Sequence, residues 1–170
     1  MGDIEVWNIK RSKVTQMPAQ GPAIFALRFW PNQNTIATAG DSDDVNFWNA
    51  NTGRKLPQQL AGTGGTIRSL SFDPSGKRLV TGSDGGILLW DLATDKLIGS
   101  PLPGGTTGGS GTFFPNGKEV VAVFQDGTGV LWNVDPNRWS TQACRIANRN
   151  FTHAEWSAYL PDRPYSKTCP

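Results

Sequence analysis

The C-terminal part of the chain holds three side chains that could do chemistry: Cys144, His153 and Cys169. Their thiols and imidazole suit three uses, namely a zinc site, nucleophilic catalysis by a cysteine with a histidine base, or a disulfide. Three ligands at irregular spacing make a weak zinc site, and no third group is evident that would orient the histidine for catalysis. The pattern leaves open a disulfide between Cys144 and Cys169 and a pair of free thiols.

Two further segments resemble ligand-binding motifs without completing them. Residues 104–111 are rich in glycine but lack the Gly-Lys-Ser/Thr that a phosphate-binding loop needs, so we interpret them as a connecting loop. Residues 41–44 could offer carboxylates to calcium, but no ligating glutamate follows at the required distance, which favours a hairpin turn. We therefore expect no catalytic residue, no metal site and no cofactor.

Composition limits the class of protein. The chain has 170 residues, with 20 Gly, 12 Pro and 7 Trp but only 18% charged residues, which excludes disorder for most of its length. The formal net charge of +2 is too small to indicate a nucleic-acid partner. The sequence has no apolar stretch long enough to span a membrane and no secretory signal at its N-terminus. These features predict a cytoplasmic protein that binds neither nucleic acid nor a membrane.

The elements that position any site are set by a repeat of tryptophans. Trp7, Trp48, Trp90 and Trp132 are separated by 41, 42 and 42 residues, and each ends a short apolar run. A second marker recurs before the last three of them, in which a Phe precedes Pro by two residues in a turn. A fixed period of this length indicates repeated structural units.

The repeat that ends at Trp90 predicts four short strands. Residues 67–72 and 78–83 form the first two strands, and the Asp84-Gly85-Gly86 segment indicates a tight hairpin into a third strand. Residues 96–99 supply the fourth strand. Four antiparallel strands in about 42 residues are typical of one blade of a β-propeller.

On the tryptophan period, the Phe-x-Pro-x-Gly turn and the Ser-Asp-Gly hairpin, residues 1–133 resemble the WD-repeat family of β-propellers. The resemblance implies the last strand of an incomplete blade in residues 1–10 and three WD-type repeats in residues 11–133. The expected fold is all-β: a partial, open WD-type propeller of about three blades, with a short C-terminal helical appendage. So few strands cannot close the ring of a propeller.

Residues 134–170 leave the repeat and predict two helices. Asp135-Pro136 is typical of an N-cap followed by the first helical residue, and Thr152 to Glu155 matches a capping box. The segment also resembles the C-terminal end of bacterial, actinobacterial-type, multidomain WD-repeat proteins. The resemblance rests on residues 143–147, on residues 156–160 and on a closing Pro-Tyr followed by Thr-Cys-Pro.

The resemblance also implies structural residues within each repeat. In the family, a histidine joins a hydrogen-bond network with a strand Ser/Thr, a hairpin Asp and the repeat Trp. The only histidine of this chain is His153, outside the repeats, so each network lacks one member. A buried polar group that stays unpaired as a result would lower the stability of the fold by about 1–3 kcal/mol. The remaining members, by position, are Thr38, Asp43 or Asp44 and Trp48; Thr81, Asp84 and Trp90; and Asp126 and Trp132.

We expect the family's binding surface at the rim formed by the loops that enter each first strand and by the hairpins. The candidate binding residues by position are Ala23, Arg28, Arg68 and Asp84. Trp30 lies outside the repeat pattern and is expected to be an exposed interface residue.

The resemblance implies a non-catalytic scaffold or sensor propeller that binds proteins, as the C-terminal part of a larger signalling protein. Its partner would be another protein, the remaining blades of its own propeller, or further copies of the chain that complete a ring. Two alternatives remain, a hydrolase or lyase that uses a propeller channel and a non-functional truncated remnant.

Overall fold

The computed structural model describes residues 4–18, 23–105 and 108–169, which divide into two compact units, residues 1–132 and 133–170. The described strands form four sheets, and within each sheet every strand pairs antiparallel with the next one along the chain. The first sheet contains β1 (Ile4–Asn8) and β2 (Lys13–Met17), linked by a 3-10 turn at Ile9–Arg11; the second contains β3 (Ile24–Phe29), β4 (Thr35–Gly40), β5 (Asp44–Asn49) and β6 (Lys55–Ala61); the third contains β7 (Ile67–Phe72), β8 (Arg78–Ser83), β9 (Gly86–Asp91) and β10 (Lys96–Leu97); the fourth contains β11 (Gly109–Phe113), β12 (Glu119–Phe124) and β13 (Gly129–Asn133).

The third sheet shows why these residues form strands. β8 and β9 lie in its middle, and nearly all their side chains are buried because other sheets pack on both faces. The hairpin between them turns at Asp84-Gly85, and Gly86 adopts a φ of +109° that favours glycine. The predicted strands 67–72 and 78–83 are confirmed. The fourth strand is shorter than predicted, because Gly99 has a φ of +75° and turns the chain.

Apolar side chains between neighbouring sheets form the core of the first unit. The second and third sheets share one cluster of apolar side chains, in which Phe47, Leu70 and Trp90 are buried. Met17 of β2 packs with Ile36 and Trp48 of the second sheet, so β2 adds a partner for β1 that the sequence did not indicate. The result is an all-β fold of open sheets, consistent with a partial WD-type propeller.

Among the first strands of the last three sheets, β7 lies against both β3 and β11. β11 is an edge strand, and the backbone N–H groups of Gly111 and Phe113 donate to the hydroxyls of Ser69 and Ser71 at 2.9 and 3.0 Å. A Cβ on Gly82 would collide with the carbonyl oxygen of Gly109, so the sheets approach too closely for any side chain there. Serine hydroxyls thus satisfy part of an otherwise unpaired strand edge.

The second unit contains α1 (Pro136–Ala147) and α2 (His153–Tyr159). Both predicted caps are confirmed: the Asp135 carboxylate accepts from Asn137 N, and Thr152 and Glu155 form the reciprocal capping box. A disulfide joins Cys144 of α1 to Cys169, with the Cα atoms 5.4 Å apart and 25 positions apart in sequence. Closing a loop of this length stabilises a fold by about 3 kcal/mol, because it reduces the entropy of the unfolded chain.

We expect the capping box of α2 to weaken only in strong acid. Two hydrogen bonds of 2.7 Å from the Arg149 guanidinium, with one of 2.8 Å from Thr152 N, lower the pKa of Glu155 from 4.5 to about 2. Because the folded pKa lies below the unfolded value, the stabilisation is fully present above pH 4.5 and is lost as the pH falls through about 2. The amide proton shift of Thr152, followed against pH by NMR, measures this midpoint.

A Glu155→Gln variant provides the control for this titration, since it keeps an acceptor near Thr152 but removes the ionisable group. Its Thr152 amide shift should stay constant over the same range of pH. A wild-type midpoint near 4.5 would contradict the arrangement of Arg149 and Glu155.

Candidate functional site

Two of the predicted structural networks contain a buried hydrogen bond between a strand threonine and the repeat tryptophan. The indole N–H of Trp48 donates to the Thr38 hydroxyl at 2.9 Å, and that of Trp90 donates to the Thr81 hydroxyl at 3.1 Å. In the last repeat no threonine occupies this place, and the Trp132 indole donates to the Pro103 carbonyl at 2.9 Å. These bonds hold the third strand of a sheet to the second strand or to a loop.

The hairpin aspartates make other contacts. Asp43 accepts hydrogen bonds from the Thr63 hydroxyl at 2.8 Å and from Gly65 N at 3.0 Å, in the loop that leads into β7. The bond from Gly65 N is the main reason why the pKa of the Asp43 carboxyl lies below its ordinary value, and the Thr63 hydroxyl adds to it. Asp44 is the first residue of β5, and the Asp126 carboxylate accepts from Thr128 N within its own turn.

We use the name hairpin end for the edge of the sheets that contains the β4–β5 turn (residues 41–43) and the β8–β9 turn (residues 84–85). Loop 62–66, which leads into β7, lies between these two turns, because Asp43 contacts Gly65 and a Cβ on Gly65 would lie 3.3 Å from the Asp84 Cβ. On its other side, Asp84 approaches the loop before β11, where a Cβ on Gly108 would lie 3.0 Å from Asp84 Oδ1. Glycines therefore allow two hairpins and two loops to interlock.

An ion pair occupies the centre of the hairpin end. Arg68, the second residue of β7, donates to the Asp84 carboxylate at 2.9 Å, and the two side chains keep 41% and 45% of their surface exposed. Such an exposed pair adds little stability, about 0–1 kcal/mol. It leaves a fixed positive and a fixed negative group available for contacts with another molecule.

The structure brings three of the predicted binding residues to this end and separates the fourth from them. Arg68 and Asp84 are in contact, and the Ala23 carbonyl accepts from Asp41 N at 3.0 Å beside the β4–β5 turn. Arg28 pairs with Ala37, four residues further along β3 than Ile24, which pairs with Gly40. At about 3.3 Å per residue, Arg28 therefore lies about 13 Å down the strand from Ile24.

The expectation of an exposed Trp30 is wrong. Its side chain is 8% exposed, stacks on Phe72 with ring centroids 5.4 Å apart, and contacts Phe47 at 5.2 Å. Its indole N–H donates to the Gly76 carbonyl at 2.8 Å. The apolar ring fills the space between the second and third sheets. This space forms only when two repeats pack together, so the pattern of a single repeat does not predict it.

Sequence reasoning missed Thr63. Its side chain is 1% exposed, its hydroxyl donates to Asp43, and its carbonyl accepts from the Ser83 hydroxyl at 2.6 Å. One threonine thereby ties together the second and third sheets. The family resemblance offered a signal, because WD repeats usually have a Gly-His pair before the first strand of a blade, and Gly62-Thr63 stands in that place before β7.

Within residues 4–18, 23–105 and 108–169, no group of three or more His, Cys, Asp or Glu side chains could hold a metal ion. No helix of these same ranges has the length and apolar character required to cross a membrane.

Comparison with known proteins identifies the repeat. Residues 54–91 match the family model "WD domain, G-beta repeat". The chain is 39% identical over 106 residues to the periodic tryptophan protein 2 homolog of Schizosaccharomyces pombe, covering 61% of this chain and 12% of that protein. It is 30% identical over 144 residues to the small ribosomal subunit protein RACK1y of Oryza sativa, covering 79% of this chain and 42% of that protein.

A third relative, the transcriptional corepressor LEUNIG_HOMOLOG of Arabidopsis thaliana, is 23% identical over 141 residues, covering 83% of this chain and 18% of that protein. The chain thus spans less than half the length of each of these relatives. The sheets form an all-β fold that is consistent with a partial WD-type propeller. The matched repeat and the relatives support the WD40 repeat family for this chain.

Proposed function

We propose that the chain is a non-catalytic scaffold that binds another protein through its hairpin end, with Arg68 and Asp84 as the central contacts. The observation that carries the proposal is the half-exposed Arg68–Asp84 pair, which is fixed among interlocked loops. A surface ordered before binding loses little conformational entropy when a partner docks, which favours affinity. The relatives include a small ribosomal subunit protein and a transcriptional corepressor, and we take this likeness to favour a protein-binding role for the chain.

The C-terminal tail bears on the larger protein to which the chain would belong and on its place in the cell. We propose that the chain is the C-terminal part of a larger signalling protein in the cytoplasm, of the bacterial multidomain type that its tail resembles. Further blades, or a second copy, would then pack against its outer sheets. A hydrolase or lyase is not favoured by any observation, since the hairpin carboxylates Asp43 and Asp84 lie in contacts with Thr63 and Arg68.

Charge reversal at Arg68 tests the hairpin end, and reversal at Arg28, which lies outside it, shows whether the binding surface extends along β3. The tagged chain, with Arg68→Glu, with Arg28→Glu or unchanged, is used to capture proteins from an extract of its own organism, and the captured proteins are quantified by mass spectrometry. We expect a protein that binds the wild type to lose about tenfold or more of its recovery with Arg68→Glu, because the new carboxylate repels Asp84 and any acidic partner group.

Arg54→Glu is the matched control, because Arg54 is exposed and follows the β5–β6 turn at the opposite end of the second sheet. Recovery with this variant should equal that of the wild type. The proposal fails if the partner survives reversal at Arg68, or if the wild type captures no protein above a tag-only control.

A further inference from the structure

A cleft lies at the end of the sheets opposite to the hairpin end, between the first sheet and the second. Its volume is about 770 Å³, and the 3-10 turn between β1 and β2 forms one wall. We call it the basic cleft, after three cations that line it: Lys10, Arg11 and Lys13. None of the residues discussed above as binding candidates lines it.

The backbone that carries the cations is ordered by the turn. The Asn8 side chain caps the turn by accepting from Arg11 N at 3.1 Å, and Ser12 takes a left-handed conformation with a φ of +46°. The first sheet is fixed to the second by the Thr15 hydroxyl, which donates to the Asn51 carbonyl at 3.3 Å. The three cationic side chains are therefore attached to an ordered wall and not to a free tail.

The positive charge of the basic cleft is not neutralised within the described part of the chain. None of its lining residues is acidic, and no ion pair of the described residues includes Lys10, Arg11 or Lys13. Glu5, the acidic residue of the same hairpin, accepts from the Trp7 indole and from the Gln16 amide at 3.3 and 3.2 Å. Three close cations without an internal counter-ion attract an anionic partner.

Large apolar side chains lie beside these cations. Trp7, Ile9 and Phe29 line the basic cleft and are 70%, 91% and 58% exposed. Exposed apolar side chains gathered in a cleft and bordered by charge mark a binding site for an apolar group. The side-chain amides of Asn34 and Asn51, which also line the cleft, can both donate and accept hydrogen bonds, as peptide groups require.

We propose that the basic cleft binds an acidic peptide segment of a partner protein, whose carboxylates face Lys10, Arg11 and Lys13 and whose aromatic or aliphatic side chains cover Trp7, Ile9 and Phe29. The aliphatic Ile9 favours a peptide over single-stranded nucleic acid, which uses aromatic platforms for its bases. This surface is independent of the hairpin end, so a charge reversal at Arg68 leaves it intact and the two proposals can fail separately.

Fluorescence anisotropy with a defined probe tests the proposal. The probe is a fluorescein-labelled decapeptide in which Asp and Glu alternate with Phe, Leu and Trp, titrated with the full chain. We expect binding that weakens as salt rises from about 50 to about 300 mM, because exposed charges are screened over this range. A probe with Lys in place of the acidic residues, and one with Ser in place of the apolar residues, should each bind at least about tenfold more weakly.

Matched triple variants locate the site. Lys10→Glu, Arg11→Glu and Lys13→Glu together should weaken probe binding by about tenfold or more. The same charge change at three exposed lysines outside the cleft, Lys55, Lys77 and Lys96, should leave it within about twofold. Ile9→Ser, at a side chain 91% exposed, serves as a second variant that spares the fold and should also weaken binding.

Three outcomes would overturn the proposal. The first is no probe binding by the wild type, and the second is equal binding by the two triple variants while both remain folded by circular dichroism. The third is tighter binding of a labelled oligouridine of equal charge than of the peptide, which would assign the basic cleft to nucleic acid.

Discussion

Replacement of Asp73 by alanine is expected to destabilise the first unit by about 3–5 kcal/mol, the range for removing one partner of a buried ion pair. Asp73 is 4% exposed and precedes Pro74 in the β7–β8 turn. Its carboxylate accepts from Lys77 N, Arg78 N and the Ser75 hydroxyl at 2.8, 3.0 and 2.8 Å, and it pairs with Arg78 Nε at 3.4 Å.

The effect extends beyond the turn because of Arg78. Its guanidinium donates to the Gly117 carbonyl of the β11–β12 turn at 2.6 Å and lies 5.3 Å from the centroid of the Phe113 ring. Without Asp73, this cation remains about five-sixths buried, with a side-chain exposure of 15%, and lacks its carboxylate. The substitution therefore removes the hydrogen bonds that hold the β7–β8 turn, and it also leaves an unbalanced positive charge where the third and fourth sheets meet.

Urea unfolding followed by circular dichroism measures the loss, with Asp41→Ala as the matched control. Asp41 is an exposed aspartate in the β4–β5 turn, so its variant should stay within about 0.5 kcal/mol of the wild type. Asp73→Asn keeps an acceptor for the turn but removes the charge, and should fall between the two. Equal unfolding midpoints for Asp73→Ala and Asp41→Ala would refute the role given to Asp73.

Asp73 also shows what the sequence can predict. The recurring Phe-x-Pro pattern correctly placed turns after β3, β7 and β11, because proline fixes φ and the turn depends only on neighbouring residues. The residue before proline is different in each turn: Trp30, Asp73 and Phe114. Their environments could not be predicted, since Trp30 is buried against the next sheet while Phe114 is 40% exposed.

At the hairpin end, too, contacts within a repeat could be predicted and contacts between repeats could not. The Thr81–Trp90 hydrogen bond was predictable, because both residues stand at fixed places in adjacent strands of one hairpin. The partner of Asp43 was not, because Thr63 comes from a loop 20 residues away and meets Asp43 only when two sheets pack together. Spacing reports contacts within a repeat, whereas contacts between repeats depend on how the sheets are placed.

The second unit follows the same rule. The N-caps of both helices were predictable, because each cap involves residues two or three positions apart. The pairing of Cys144 with Cys169 was left open, because a disulfide requires a Cα separation that spacing alone does not give.

Replacement of Trp30 by alanine is the second large effect that we expect, a destabilisation of about 3–5 kcal/mol. The indole fills the interface of the second and third sheets, where it contacts Phe47 and Phe72 and donates to Gly76 O. A cavity left between two sheets relaxes only in part, so both the apolar contacts and the hydrogen bond to the neighbouring turn are lost. Urea unfolding followed by circular dichroism, which avoids the change in tryptophan fluorescence, measures the effect.

Two variants separate these contributions. Trp30→Phe keeps an aromatic ring near Phe72 but leaves the buried Gly76 carbonyl without its donor, so it should cost about 1–3 kcal/mol. Trp7→Ala makes the same Trp-to-Ala change at a side chain that is 70% exposed, so its free energy of unfolding should stay within about 0.5 kcal/mol of the wild-type value. If Trp30→Ala were as mild as Trp7→Ala, the indole would be an exposed interface residue after all, and the second and third sheets would have to be joined by the aliphatic core alone.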